Sequence, residues 1–328
     1  MVKIINNFKE FDILTEKQKE FLACDREKMQ VENFDYFHLH KSKQKDDNTF
    51  PNSFKLYWTP QIKAKVLLSE EQSFESSILF LGYGECEITN LKSNTAYFVK
   101  VVSEAGDCSK VYSFKTKYAP IRFVKIDGLT NVRDIGGRFV ENDCLIKQGL
   151  IYRGVEMNSH ITVTESGLET MRRVLQIKSV LDLRRDTEIV EDVYKGNYKN
   201  IPCYAYTDIF EHPQAIRDIF QFFADEKNYP IYFHCWGGAD RTGTIAFLIG
   251  ALLGEKVQSL LDDYEITSLS LWGNRSRNML TFQKFFAILS AFEGETLQEK
   301  TANYLYSVGV TQKEIQTIKK IMTDKSEK

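Results

Sequence analysis

One ten-residue stretch, HCWGGADRTG at residues 234–243, imposes an abrupt change of local structure on the chain. It follows a short apolar run, IYF, and precedes a long apolar run, TIAFLIGALL. The short run is typical of a buried strand and the long run of a buried helix. Because the paired glycines between them allow a tight turn, the sequence predicts a strand, a compact loop and a helix in direct succession.

The loop between this strand and this helix has the composition of an anion-binding site. Gly237 and Gly238 allow successive backbone N–H groups to point into one concavity, and the first turn of the helix adds unpaired N–H groups and partial positive charge. Arg241 can hold two oxygens of a phosphate with its planar guanidinium. The same surroundings should favour the thiolate form of Cys235, so the pattern predicts a phosphate loop with a nucleophilic cysteine.

The Cys-x5-Arg-Thr pattern after a buried strand resembles the phosphate loop of cysteine-dependent protein tyrosine and dual-specificity phosphatases. Further stretches narrow the resemblance to bacterial tyrosine phosphatases whose loop reads HCxxGKDRTG (tyrosine phosphatase family 3), over residues 119 to 322. These stretches are NVRDIGG at 131–137, GLIYRG at 149–154, ITVTESG at 161–167, VLDLRRDTE at 180–188, DDYEIT at 262–267 and YLYSVGVTQKEI at 304–315. One difference is Ala239, which stands where that family has the Lys often associated with phosphoinositide activity.

The resemblance implies a phosphomonoester hydrolase that forms a phosphocysteine, with protein-tyrosine or dual specificity. It assigns catalysis to Cys235 and Arg241. His234 would orient the loop, with a satisfied core histidine as the alternative. Thr242 would donate its hydroxyl to the leaving thiolate, with an N-terminal helix hydroxyl as the alternative. The predicted phosphate-binding residues are Trp236, Gly237, Gly238, Ala239, Asp240, Arg241 and Thr242, and Trp236 is expected either at the pocket rim or beneath the loop.

The leaving alkoxide or phenoxide needs a proton, and two carboxylic acids are candidates for donating it. Asp208, in the stretch YTDIFEHP, lies where this phosphatase superfamily carries its mobile acid loop. Asp240 matches the acid inside the family's HCxxGKDRTG loop. We favour Asp208, for which the alternative interpretation is a helix cap.

Two other functions are consistent with the same loop. One is hydrolysis of an inositol phosphate or phosphoinositide, which the loop favours less because it offers only Arg241 as a cation. The other is a non-catalytic adaptor that reads phosphate, although such adaptors commonly lose the Cys, Arg or acid. Since the backbone and Arg241 can hold the phosphoryl charge, and the six cysteines lack zinc-ligand spacing, no metal or other cofactor is predicted.

The chain is long enough for two domains, predicted at 1–118 and 119–328. The second should be an α/β catalytic domain of the cysteine-phosphatase type, with a mainly parallel sheet flanked by helices. The first begins with a charged lead segment that contains one short helix after Thr15. From about residue 50 it shows β-type runs typical of an all-β sandwich, at 54–58, 63–68, 78–82, 86–89, 96–103 and 110–116.

Within that first domain, the stretch NLKSNTAYFVKVVS at 90–103 resembles the corner and penultimate strand of a fibronectin type III domain. The resemblance implies a spacer or a module that binds a protein partner.

A net charge of −2 argues against a nucleic-acid partner, and no apolar run is long enough for a membrane span. The expected substrate is a phosphorylated protein or small phosphomonoester. The expected compartment is the cytoplasm, with export as the alternative if Met1 replaces a trimmed leader.

Overall fold

The computed structural model describes residues 1–26, 47–140, 144–185 and 193–323. The strands are β1 (Lys3–Ile4), β2 (Glu10–Phe11), β3 (Phe54–Thr59), β4 (Lys63–Ser69), β5 (Ile78–Tyr83), β6 (Glu85–Ile88), β7 (Ala96–Ser103), β8 (Tyr112–Thr116), β9 (Arg122–Phe123), β10 (Arg133–Asp134), β11 (Ile151–Gly154), β12 (Ser179–Asp182), β13 (Asn197–Asn200) and β14 (Ile231–His234). The α-helices are α1 (Glu16–Ala23), α2 (Glu165–Glu169), α3 (Pro213–Phe223), α4 (Arg241–Leu253), α5 (Val257–Glu265), α6 (Leu280–Ser290), α7 (Leu297–Ser307) and α8 (Gln312–Met322). Within these ranges, no helix is long and apolar enough to cross a membrane.

The second half of the chain is built on a mixed sheet whose described strands have the order β13-β12-β14-β11-β10-β9. β13, β12, β14 and β11 run parallel to their neighbours, whereas β10 and β9 pair antiparallel at one side. The expectation of a mainly parallel sheet is therefore confirmed. Residues 186–188 of the VLDLRRDTE stretch lie outside the described residues.

Helices cover both faces of this sheet. Ile231 and Phe233 of β14 join one buried cluster with α3, α4 and the C-terminal helices α6, α7 and α8, whereas Tyr232 joins a second cluster with α2. Successive side chains of a strand point to opposite faces, so a strand covered on both faces is apolar at every position. This burial explains the apolar run before the loop. The apolar run after the loop is explained by α4, which is buried from Thr242 to Leu253.

The first half of the chain contains two β-sheets among its described residues, ordered β1-β3-β6 and β2-β8-β7-β4-β5. All six β-type runs predicted from the sequence are strands, β3 to β8, and that prediction is confirmed. Phe54 of β3 and Phe114 of β8 stack with ring centroids 4.1 Å apart, and both belong to one buried cluster shared by the two sheets. At the corner before β7, the Tyr97 hydroxyl accepts a hydrogen bond from the Lys92 backbone N–H at 2.7 Å.

The lead segment contributes more structure than the sequence predicted. α1 confirms the predicted short helix after Thr15. The Thr15 side chain caps this helix by accepting a hydrogen bond from Gln18 N. β1 and β2 were not predicted, since each has two residues and shows no alternation of apolar and polar side chains. Residues 27–46 of the lead segment lie outside the described residues.

Buried polar contacts join the two halves of the chain. Arg122 of β9 is 3% exposed and donates hydrogen bonds to the backbone oxygens of Asn90 and Leu91. Arg26, just after α1, forms an ion pair with Glu265 of α5 at 3.0 Å. A buried cation is costly unless it is paired, so these contacts fix the N-terminal segment against the second half of the chain.

Candidate active site

The loop at residues 235–240 lies at the carboxyl edge of the large sheet. It follows β14, which has the parallel strands β12 and β11 on either side, and α4 begins directly after it at Arg241. Ligands of open α/β sheets bind beyond the carboxyl ends of the strands. Cys235 directly follows β14, and it therefore lies where the strand ends meet the N-terminus of a buried helix. Its exposed fraction is 3%.

Three consecutive carbonyl groups of this loop point away from its centre. The hydrogen bonds that hold them run from Glu156 N to Trp236 O at 3.0 Å, from Asn131 Nδ2 to Gly237 O at 3.1 Å, and from Arg153 Nη2 to Gly238 O at 2.7 Å. In a planar trans peptide the N–H points opposite to the carbonyl. The N–H groups of residues 237–239 therefore face the inside of the loop, which is the arrangement that binds an oxyanion.

His234 holds a fourth carbonyl of the loop. Its Nδ1 donates to the Cys235 carbonyl oxygen at 3.0 Å, and Nδ1 lies 3.9 Å from a carboxylate oxygen of Asp182. The ring is 1% exposed, and burial lowers the pKa of His234. A neutral ring protonated at Nδ1 fits this geometry. Because its partner is a backbone oxygen of the loop itself, the bond agrees both with a loop-orienting histidine and with a core histidine satisfied by backbone.

Asn131 supports the loop and was missed by the sequence analysis. Its Oδ1 accepts a hydrogen bond from Arg133 Nη1 at 2.6 Å, and its backbone N–H donates to Thr49 Oγ1 at 2.9 Å. These two bonds fix the amide whose Nδ2 holds Gly237 O. The NVRDIGG stretch thus reaches the loop through its first residue, and only its place in the motif could have signalled that role.

Gly238 allows the loop its shape in two ways, and Gly238→Ala should disrupt it. Its φ is +64°, and a Cβ there would lie 2.3 Å from the backbone oxygen of Gly154. The left-handed conformation alone costs about 1–2 kcal/mol for a non-glycine residue. We expect a larger loss in the free energy of unfolding, measured with urea, together with weaker tungstate binding.

Gly273→Ala is the matched control for that prediction. Gly273 has a φ of +79°, but an added Cβ would meet nothing within 4 Å. Its substitution should therefore show the conformational cost without the collision. Equal losses for the Gly238 and Gly273 variants would contradict the proposed close contact between the loop and β11.

Beneath the loop, one buried carboxylate organises three buried arginines. Asp263 of α5 accepts from Arg133 Nε at 2.7 Å, from Arg138 Nη2 at 2.6 Å and from Arg153 Nη1 at 2.5 Å. Burial acts to raise the pKa of Asp263, but the three positive charges outweigh it and hold that pKa well below its usual range. Because Arg153 also binds Gly238 O, the carboxylate indirectly sets the position of the loop.

Asp263→Asn should lower the free energy of unfolding by about 3–5 kcal/mol, since it leaves buried guanidinium groups without a counter-charge. The carboxylate has a lowered pKa when folded, so its contribution is present at neutral pH and is lost as the pH falls towards that pKa. Urea unfolding at neutral and acidic pH measures both effects. Asp262→Asn is the control, because Asp262 is more exposed and pairs with Arg26 alone among the described arginines. An equal loss in the two variants would contradict the proposal that Asp263 stabilises the three arginines together.

Asp240 ends the loop and is held by groups from two other segments. Its carboxylate accepts from Arg275 Nε and Nη2 at 2.7 and 2.8 Å and from the Tyr206 hydroxyl at 2.5 Å. Burial acts to raise the pKa of Asp240, but the hydrogen bonds and the charge of Arg275 outweigh it and lower that pKa. An ionised carboxylate is a poor proton donor, and this arrangement therefore favours the other candidate acid.

Asp208 lies on a 3₁₀ helix, Tyr206–Glu211, and its side chain is exposed. Tyr206 connects this helix to the loop, because its hydroxyl donates a hydrogen bond to the Asp240 carboxylate. The Tyr206 backbone N–H also donates to Thr244 Oγ1 at 3.0 Å. Tyr206 has a φ of +53°, a strained conformation for a non-glycine residue that is common at functional sites. The structure thus places Asp208 outside the loop itself, on a segment anchored to it.

Trp236 lies at the surface of the loop with 42% of its area exposed. Its indole Nε1 donates to His160 Nδ1 at 2.7 Å, and the two rings meet edge to face at 4.5 Å. Trp272 adds a third ring 5.9 Å from Trp236 and also contacts Gly237 closely enough that a Cβ there would lie 2.9 Å from it. The indole of Trp236 thus lies on the surface of the loop and not beneath it, and its place at the rim of a substrate pocket stays a prediction. His160 and Trp272 are neighbours of this ring that the sequence did not predict.

The remaining predicted residues lie at the start of α4 and just before it. Ala239 is 3% exposed, and Arg241 is partly exposed as the first residue of the helix. Thr242 is fully buried, and its hydroxyl has no hydrogen-bond partner among the described residues. A buried hydroxyl is rarely left without a partner. This hydroxyl makes no backbone capping bond within the described residues, and its role towards the thiolate stays a prediction.

Among the solved structures to which this chain is similar are two catalytic cores. The core catalytic domain of the PP-IP phosphatase SIW14 from S. cerevisiae, in complex with citrate, is 15% identical and covers 57% of this chain and 91% of that chain, with a TM-score of 0.32. A second structure of the Siw14 catalytic core is 14% identical and covers 47% of this chain and 88% of that chain, also with a TM-score of 0.32. At these scores neither likeness supports a conclusion about this chain.

No curated protein matches the chain. A family model does, under the description "Tyrosine phosphatase family", and it spans residues 124–324. That range contains the large sheet from β10 onwards, the loop after β14 and helices α2 to α8. With the match extending over more than half of its length, the chain belongs to the tyrosine phosphatase family.

Proposed function

We propose that this chain hydrolyses phosphomonoesters through a phosphocysteine intermediate. Its main substrate in this proposal is phosphotyrosine in proteins, and the alternative is mixed specificity for phosphotyrosine and other phosphorylated residues. The observation that carries the proposal is the loop above Cys235, whose carbonyl groups are bound from outside so that its N–H groups converge. Such a site stabilises the charge that develops on the phosphoryl oxygens during transfer.

The first chemical step follows from this arrangement. The Cys235 thiolate attacks phosphorus, the P–S bond forms as the P–O bond breaks, and Asp208 gives its proton to the leaving oxygen. Arg241 and the loop N–H groups hold the phosphoryl oxygens throughout. In the second step water attacks phosphorus and gives a proton to the Asp208 carboxylate, and the P–S bond breaks as inorganic phosphate forms. The departing thiolate is stabilised by the hydroxyl of Thr242.

The rim supports an aromatic leaving group. Trp236 presents an exposed indole beside the nucleophile, and its bond to His160 fixes the orientation of that ring. Offset or edge-to-face contact between aromatic rings adds about 0.5–1.5 kcal/mol beyond burial. Arg275 and Arg153 are further cations that contact the loop, and each is paired with a carboxylate, Asp240 and Asp263 respectively. They therefore give no specific support to a highly charged inositol phosphate.

The test is hydrolysis of a phosphotyrosine peptide, a phosphoserine peptide and an inositol phosphate under identical conditions, with and without EDTA. We expect release from the phosphotyrosine peptide to be fastest and unaffected by EDTA. Preference for the inositol phosphate would transfer the proposal to that substrate class. Tungstate binding without hydrolysis of any of the three would indicate a phosphate-binding adaptor.

We propose further that residues 1–118 form a fibronectin type III-like module and that residues 119–328 form the catalytic domain. The bond between the Tyr97 hydroxyl and Lys92 N supports the first assignment, because a tyrosine that bonds back to upstream backbone is a hallmark of such sandwiches. The family match from residue 124 supports the second. In this proposal the module serves to bind a protein partner.

A further inference from the structure

The five-stranded sheet of the N-terminal half carries an exposed apolar strip far along the chain from the catalytic loop. Leu79, Leu81 and Tyr83 alternate along β5 and are 42%, 74% and 62% exposed. Single exposed apolar residues are ordinary, but three on one face of one strand form a continuous patch. The residues opposite them on β4 are, in the same order, Leu67, Lys65 and Lys63.

β5 is also an edge strand. It is last in the order β2-β8-β7-β4-β5, and within the described ranges it pairs only with β4. Half of its backbone N–H and C=O groups therefore point away from any strand partner. Proteins usually protect such an edge with lysine, proline or a charged inward residue, and the β5 sequence, ILFLGY, has none of these. An unprotected edge of this kind is suited to accept another strand.

A groove of about 680 Å³ adjoins the strip at its charged end. Leu81 and Tyr83 form one side, the stems of Lys63 and Lys65 contribute to it from β4, and Glu104 lies after β7 at the other side. Lys63 and Lys65 are exposed and have no ion pair among the described residues. Among the described residues that line the groove, two lysines face one acid, Glu104. Lys100 of β7 adds a further lysine on the same face, opposite Leu67.

We infer that this face binds an extended acidic segment of a partner protein, which adds to the sheet as a strand beside β5. Strand addition gives affinity through main-chain hydrogen bonds and specificity through alternate side chains. Aliphatic side chains of the segment would cover Leu79 and Leu81, and its carboxylates would pair with Lys63 and Lys65 across the groove. The inference goes beyond the proposed phosphatase activity and does not depend on it.

The test uses the full chain and a labelled peptide of repeating Thr-Val-Thr-Glu units long enough to span β5. Its alternate residues present valine and glutamate on one face. Fluorescence anisotropy should show saturable binding that weakens at least tenfold in Leu81→Glu and in the Lys63→Glu, Lys65→Glu double variant. Leu280→Glu is the matched control, because Leu280 on α6 is 64% exposed in the catalytic half and should leave binding unchanged.

Two further readouts separate strand addition from nonspecific adhesion. Peptide binding should slow amide hydrogen exchange at residues 78–83, and unchanged thermal midpoints should show that the variants are folded. Equal binding of a Thr-Val-Thr-Lys peptide, equal loss in Leu280→Glu, or binding without protection of β5 would each overturn the inference. So would a concentration-dependent dimer of the chain that Leu81→Glu dissociates and the peptide does not, because the face would then bind a second copy.

Discussion

Replacing Cys235 by serine should lower kcat for phosphotyrosine hydrolysis by about 10⁴- to 10⁶-fold, the scale seen when an enzyme loses its nucleophile. A serine hydroxyl stays protonated at neutral pH, and no base in the proposed mechanism is assigned to activate it. Tungstate affinity should be retained, since the N–H groups of residues 237–239 and the side chain of Arg241 remain. Single-turnover kinetics and calorimetric tungstate titration measure the two effects separately.

Cys203→Ser is the matched control. Cys203 is 1% exposed, and burial raises its pKa to about 12, so its thiol is protonated at neutral pH and cannot serve as the nucleophile. The variant should retain kcat within a few-fold while losing some stability, because a hydroxyl replaces a buried thiol. Appreciable turnover by Cys235→Ser, or an equal loss in Cys203→Ser, would rule out the phosphocysteine mechanism.

The sequence predicted the strand, loop and helix around this site correctly because local chemistry determines their order. A strand, two glycines, a cysteine and an arginine within one short stretch leave few conformations, and the structure has the predicted order of β14, loop and α4. Family membership is confirmed by the match over residues 124–324. The fibronectin-like character of the N-terminal sheets and the roles of the individual site residues stay predictions.

The supports of the loop could not be predicted in the same way, because they come from distant parts of the chain. Arg153 on β11 reaches Gly238 O only because β11 and β14 are neighbours in the sheet. Arg275 lies in the segment between α5 and α6, where nothing in the sequence indicates that its guanidinium meets Asp240. Hydrogen bonds between segments depend on sheet order and helix packing, which motif spacing does not encode.

That unpredicted contact bears on the identity of the general acid, which a pair of asparagine variants can establish. Asp208→Asn should lower kcat for phosphotyrosine by about 10²- to 10⁴-fold, the usual contribution of a positioned acid. An aryl phosphate whose phenol is strongly acidic needs no proton as it leaves. With that substrate, Asp208→Asn should lose far less activity than it loses with phosphotyrosine.

Asp240→Asn should behave differently, because Arg275 and Tyr206 already hold that carboxylate ionised. Its loss should disturb the end of the loop and lower kcat by the same factor for both substrates. The ratio of the two rate constants is therefore the diagnostic quantity, since a general fall in stability or loop order cancels in it. The opposite result would be a smaller loss with the acidic phenol than with phosphotyrosine in Asp240→Asn but not in Asp208→Asn. Proton donation would then belong to Asp240, and Arg275 would have to leave it during catalysis.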